Sequence, residues 1–161
     1  MTWVLTVTAV LVLLAAYVTW TAGRLDRLHA RVDAAWAALD AQLVRRAAAA
    51  RALVPLVPDP AAEPLDVAAH AALEAAEEGR ETVENDLSRV LRSAVPLLPP
   101  GADLEELRTA ASRVALARSF HNAAVKDTRT VRWRRVPRLL HLAGHRAMPT
   151  YFEIDDTALA G

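Results

Sequence analysis

From Thr2 to Gly23 the chain carries no charged residue, and the apolar run WVLTVTAVLVLLAAYVTW fills most of that stretch. As a helix it is long enough to cross a hydrocarbon core of about 30 Å. Trp3 stands at one end, Tyr17 and Trp20 at the other. The two tryptophans would lie roughly 26 Å apart, which suits the aromatic belts at the two faces of a bilayer. A cleaved signal peptide would show basic residues ahead of a shorter apolar run, and this segment has neither. Residues 1–23 are therefore expected to form a transmembrane anchor, in contact with the membrane through residues 2–23. Nothing basic precedes the span, whereas Arg24, Arg27 and Arg31 follow it closely. The positive-inside rule then predicts a short external N-terminus and a cytoplasmic domain over 24–161. Ala15, Thr19 and Ala22 are small enough for close helix contact, which leaves a homo-oligomer open.

Composition narrows the rest. The 161 residues contain no cysteine, so disulfides, thiolate metal sites and a cysteine nucleophile are excluded. The 19 Lys+Arg balance 19 Asp+Glu, so no whole-protein field favours nucleic acid, which is not an expected partner. Hydrophobic residues make up 53% of the chain but aromatics only 5%. Alanine and leucine supply much of that excess, and both favour helix.

The periodicity agrees. Leu25, Leu28, Val32, Trp36, Leu39, Leu43, Ala47, Ala50 and Leu53 recur three or four apart, the pattern of an amphipathic helix continuous with the anchor. It stops at Pro55, where LVPDPAAEP begins a linker. A second stripe runs from Leu65 through Leu73, Ala76, Val83, Leu87 and Leu91 to Ala94. Its phase survives Gly79, so one helix of two halves is favoured, with a true break at Gly79 as the alternative. After VPLLPPGAD, Asp103 and Glu106 have the spacing of a capping box, and a third stripe runs from Leu104 to Thr128. The expected fold is all-α: a transmembrane helix continuing into an antiparallel up-and-down bundle of three long helices, four if the second breaks near Gly79. The bundle is expected over 24–136, followed by a partly irregular tail over 137–161. Charge supports antiparallel packing, since Asp59 to Asp86 is acidic and Arg24 to Arg51 is mildly basic.

Three segments carry a family resemblance. Ala35-Trp36-Ala37-Ala38-Leu39-Asp40-Ala41-Gln42-Leu43-Val44-Arg45-Arg46 resembles the AW-x-x-ID-x-QL-x-RR signature of the LemA family. Arg118-Ser119-Phe120-His121-Asn122-Ala123-Ala124-Val125 is similar to that family's R-x-x-YN-x-x-V, and Pro149-Thr150-Tyr151-Phe152-Glu153 to its terminal P-x-FE. His121 stands where the family has tyrosine, and Thr128-Arg129 replaces a second YN. Alanines replace the stretch resembling DLIPNLV, so the chain reads as a divergent branch. The resemblance implies a bacterial, membrane-anchored helical bundle and supplies no reaction.

With the first and third soluble helices both running away from the membrane, Asp40 and Arg118 come level, roughly 22–24 Å up. A structural polar layer of Trp36, Asp40, Gln42, Arg46, Arg118, His121 and Asn122 is expected, built on an Asp40–Arg118 pair, with Gly79 leaving room for the Trp36 ring. No metal or cofactor set stands out. His70 and Glu74 lack partner ligands, His141 and His145 flank Gly144, and His121 reads as a bundle histidine. The tail is basic and apolar through Arg129, Arg132, Trp133, Arg134, Arg135 and Arg138. In this register the third helix delivers it to the membrane-distal end. The expected function is a non-enzymatic adaptor or scaffold at the cytoplasmic membrane face, acting on a protein partner that the sequence does not identify. The alternative is an anionic-lipid- or nucleic-acid-binding module that uses the basic tail over 129–146.

Overall fold

The computed structural model describes residues 1–133 and 146–155. Arg134, Arg135, Arg138, His141 and His145 lie outside the described residues. The described chain is all-helical, with four α-helices: α1 Thr2–Ala52, α2 Ala62–Glu74, α3 Arg80–Ala94 and α4 Glu105–Arg132. The chain divides into two compact units, Met1–Ala34 with Asn122–Tyr151 and Ala35–His121 with Phe152–Gly161.

The helix ends follow from local chemistry. Proline has no N–H to donate, so Pro55 and Pro96 stop α1 and α3. Each helix closes in a short 3-10 turn of the same tripeptide, Val54–Leu56 and Val95–Leu97. Asp103 Oδ1 accepts a hydrogen bond from the Glu105 N–H at 2.9 Å and so caps α4.

The second stripe breaks. α2 ends at Glu74, and α3 begins at Arg80 after Gly79, whose φ of 86° is left-handed. A Cβ at Gly79 would meet nothing within 4 Å. Glycine is required there by the backbone conformation, and not to make room for Trp36 as the sequence register suggested.

In the second unit the break sets the helix directions. Arg51 Nε lies 3.0 Å from Asp66 Oδ1, so α2 starts beside the end of α1. Arg80 Nη2 lies 3.3 Å from Asp40, while Arg46 bonds Glu84 and Ser88. α3 therefore runs parallel to α1, and α2 antiparallel. α4 descends again: Leu107 and Ala110 share the core of Ala47, Ala50 and Leu53, and Val114 shares that of Leu39 and Leu43. The order is up, down, up, down.

The main core is rich in alanine, with Ala47, Ala50, Ala69, Ala72 and Ala94 interleaved between Leu65, Leu87, Leu91 and Leu107. Small residues let the helix axes approach closely, which is how a chain so poor in aromatics fills its interior. A second cluster joins Leu39, Leu43 and Val114 to Phe152 and Ile154. Part of the expected irregular tail is thus core: residues 146–155 are non-helical, and two of their side chains are buried.

In the first unit, residues 21–34 of α1 lie antiparallel to 122–132 of α4. Thr128 Oγ1 donates to the Leu28 carbonyl at 3.4 Å, and Arg31 lies 3.6 Å from Asp127. The sequence register, with both helices running away from the span, is corrected here. Because α2 and α3 are separate helices, the chain makes one more reversal than in the favoured three-helix reading.

Replacing Gly79 by alanine forces a Cβ into the left-handed region and should cost about 1–2 kcal/mol. Gly79→Asn should cost less, because asparagine visits that region more readily. Chemical denaturation of the full chain in mild detergent checks the order; equal stability of Gly79→Ala and wild type would contradict it.

Candidate functional site: a buried charged layer and an aromatic cluster

α3 presents Arg80, Glu84, Leu87, Leu91 and Ala94 along one buried face. Two of these five are ionisable, and α1 answers them with Arg46 and Asp40. Arg46 Nη2 donates to Glu84 Oε2 at 2.6 Å and to the Glu84 carbonyl at 3.2 Å, and Nη1 donates to Ser88 Oγ at 3.3 Å. Arg80 Nε is 3.3 Å from Glu84 Oε1, and its Nη1 donates to the Ala75 carbonyl at 2.8 Å. Arg46, Arg80 and Glu84 are buried, while Asp40 is half-buried. Two guanidinium groups thus face two carboxylates.

Burial pushes the Glu84 carboxyl above the ordinary carboxylate range, against the attraction of Arg46 and Arg80, with the Asp40 charge adding to the rise. A raised folded-state value has a definite sign. Its contribution to stability is fully present below glutamate's ordinary value of about 4.3, and it is lost as pH rises through the higher folded value.

Next to this layer is the aromatic cluster. The Trp36 ring meets His121 edge-on at 5.6 Å between centroids and Phe152 at 5.5 Å. Arg118 Nη1 donates to the Ile154 carbonyl at 3.1 Å. Backbone N–H groups of the same segment reach α3, Glu153 N to Glu81 Oε1 at 2.7 Å and Asp155 N to Asn85 Oδ1 at 2.8 Å. The Asp155 carboxylate lies 2.8 Å from Arg92.

The expected polar layer is therefore rearranged. Trp36, His121 and Arg118 do gather, around Phe152 and Ile154. Asp40 pairs with Arg80, and no Asp40–Arg118 pair occurs among the described residues. Arg46 belongs to the buried layer with Glu84. Gln42 Oε1 is buried and accepts no hydrogen bond among the described residues. Asn122 is half-buried in the first unit.

Sequence reasoning missed Arg80, Glu84 and Ser88. The signal was present: Arg80, Glu84, Leu87, Leu91 and Ala94 recur at helical spacing, with opposite charges one turn apart. Reading charges as solvent-facing concealed it.

The first unit holds a second polar set. His29 Nδ1 lies 2.8 Å from the Leu25 carbonyl, and Nε2 lies 3.3 Å from Arg132 Nη1. A carbonyl only accepts and a guanidinium only donates, so His29 carries its proton on Nδ1 and accepts at Nε2. Arg132 also donates to the carbonyls of Ala147 and Arg146, at 2.7 and 3.0 Å. Arg129 donates to the Pro149 carbonyl at 3.2 Å and stacks over Tyr151. Trp133 is exposed.

The aromatics assigned to the membrane interface, Trp3, Tyr17 and Trp20, are all exposed, as is most of the apolar run between them. α1 contains the one segment among the described residues that is long and apolar enough to cross a membrane, and none of that window is buried inside the protein. No cluster of three or more metal-ligating side chains occurs among the described residues. Compared with protein-family models, with curated proteins and with solved structures, the chain matches none.

Three outcomes follow in detergent-solubilised full-length protein. Arg46→Met leaves Glu84 short of its nearest cation and should cost about 3–5 kcal/mol, more than Glu84→Gln, whose burial penalty disappears with its charge. As pH falls from 7 towards 5, wild type should gain stability relative to Glu84→Gln; a gap that stays constant in parallel denaturation curves would contradict the raised Glu84. Phe152→Ala should cost about 3–5 kcal/mol by opening a cavity against Trp36. A loss under 1 kcal/mol would remove the C-terminal segment from the core.

Proposed function

We propose that this chain is a LemA-like, single-pass protein of a bacterial cell membrane, with its N-terminus outside. Its helical domain acts at the cytoplasmic face as a non-enzymatic scaffold for a protein partner, and no cofactor takes part. The exposure of the apolar part of α1 carries the anchoring half of this reading. A core helix of that hydropathy would be buried by its own domain, whereas this one needs an apolar solvent. Arg24, Arg27 and Arg31 supply the orientation.

Convergence of the signature segments supports the LemA-like part. Trp36, Arg118 and Phe152 come from three separate stretches of the sequence and meet in one cluster. The scaffold part rests on an exposed apolar face of α4, where Leu116 and Phe120 lie one turn apart and are 57% and 62% exposed. Large apolar side chains paired on a surface favour a protein contact over solvent.

Topology is directly testable because the chain has no native cysteine. In intact cells Thr2→Cys should react with a membrane-impermeant maleimide, and Thr82→Cys only after lysis. The reverse pattern would overturn the orientation. A photo-crosslinking amino acid at Phe120 should give discrete adducts in native membranes that the same group at exposed Arg89 does not. No adduct, or identical adducts from both positions, would refute the scaffold reading.

A further inference from the structure

We propose that the C-terminal end of α4 is a second membrane contact, in which Arg24, Arg27 and Trp133 seat together on anionic lipid headgroups of the leaflet that α1 enters. This rests on the anchoring reading above and goes beyond it: the domain is held to the bilayer surface at a second point and reads lipid charge there.

The register places the contact. In the first unit Thr128 meets Leu28, Asp127 meets Arg31, and Arg132 meets His29. Across these pairings the antiparallel register brings Arg132 level with residues 24–29 and Trp133 level with residues 23–28, within the first two turns after the span. Trp133 is 60% exposed and Trp20 58% exposed. By helical rise Trp133 stands roughly 5–12 Å beyond Trp20, at the level of the headgroups, where tryptophan is favoured.

The charge is of the right sign. The described residues of this unit hold seven cations, Arg24, Arg27, Arg31, Lys126, Arg129, Arg132 and Arg146, against Asp26, Asp33 and Asp127. Arg31 engages Asp127 and Arg146 engages Asp33. Arg129 and Arg132 bond neutral carbonyls and His29, and no carboxylate among the described residues compensates their charge. Arg24 lies against the Trp20 ring, its guanidinium carbon 5.8 Å from the centroid, and Arg27 is exposed. Among the described residues neither has a carboxylate within ion-pair distance, and Asp26, the anion of that turn, is exposed and engages no described cation.

Basic side chains within a Debye length of an anionic leaflet are drawn to it. A macromolecular partner would have to displace headgroups already at that level, so lipid is the occupant that the placement favours. The three-helix register had put this end of the chain away from the membrane; the observed α4 direction is what makes the contact available.

The test uses the full chain in nanodiscs of phosphatidylcholine, alone or with phosphatidylglycerol. Single-tryptophan variants keep either Trp133 or Trp20, the others being phenylalanine, and lipids brominated near the headgroup end of the acyl chain act as quenchers. Trp133 should be quenched, at least twofold more with phosphatidylglycerol, and Arg24→Gln with Arg27→Gln should abolish that increment. Quenching of Trp20 with Trp133 left at water-exposed emission in both lipids would overturn the proposal while leaving the anchor intact. Failure to quench Trp20 would instead overturn the anchor. Quenching of Trp133 that ignores lipid charge would refute the anionic headgroup as its ligand. Should the tryptophan replacements unfold the domain, a spin label at exposed Thr130→Cys provides the second readout. It should be relaxed by nickel-chelating lipid headgroups when phosphatidylglycerol is present, and absence of that relaxation would equally overturn the contact.

Discussion

Gly79 holds its backbone at a φ of 86°, in the region that other residues enter only at a cost, and the chain turns back on itself there. This reversal decides the parity of the second unit. With α2 and α3 separate, α1 and α3 run one way and α2 and α4 the other. Were they one helix, α4 would run with α1, and Val114 could not share a cluster with Leu39 while Leu107 shares one with Ala47 and Leu53. The placement of α4 and the docking of residues 152–155 beside it both depend on a turn of a few residues.

Parity also explains where the buried charge lies. A short α3 starting at Arg80 brings its first turn beside Asp40 and its second beside Arg46. The resulting layer of two arginines and two carboxylates sits in a core otherwise built from alanine and leucine. Such a layer adds little net stability over an apolar one, but it penalises any slip in helix register, because a displaced arginine or glutamate would be buried without its partner. An alanine-rich interface offers little shape to fix register by itself. The charges provide the specificity that the small side chains lack.

Much of this architecture was legible in the sequence. The apolar run from Thr2 to Gly23, the prolines that stop α1 and α3, and the cap at Asp103 all act locally, and local signals survive in a linear reading. Helix direction did not, because the stripe keeps its phase across Gly79 and periodicity is blind to a reversal that preserves it. The Asp40–Arg118 pairing was derived from the wrong parity, and so fell with it. Arg80 and Glu84 were hidden by the ordinary rule that charges face water, although their spacing with Leu87 and Leu91 marked the buried face. Phe152 and Ile154 reach the core from a segment with no periodicity, and only their partners on α1 and α4 explain their burial. Of the expected polar layer, Trp36, His121 and Arg118 gather around Phe152 and Ile154, whereas Asp40 and Arg46 join Arg80 and Glu84 and Asn122 falls in the first unit.

The direction of α4 is the claim on which the rest turns. A distance measurement between spin labels at Arg27→Cys and Thr130→Cys, two exposed positions in a chain free of other cysteines, tests it most directly. With α4 antiparallel to α1 in the observed register, the labels face across neighbouring turns and the distribution should centre at about 20 Å or less. An α4 that ran away from the span would carry residue 130 roughly 40 Å up the bundle. A distribution centred near that value would contradict the account.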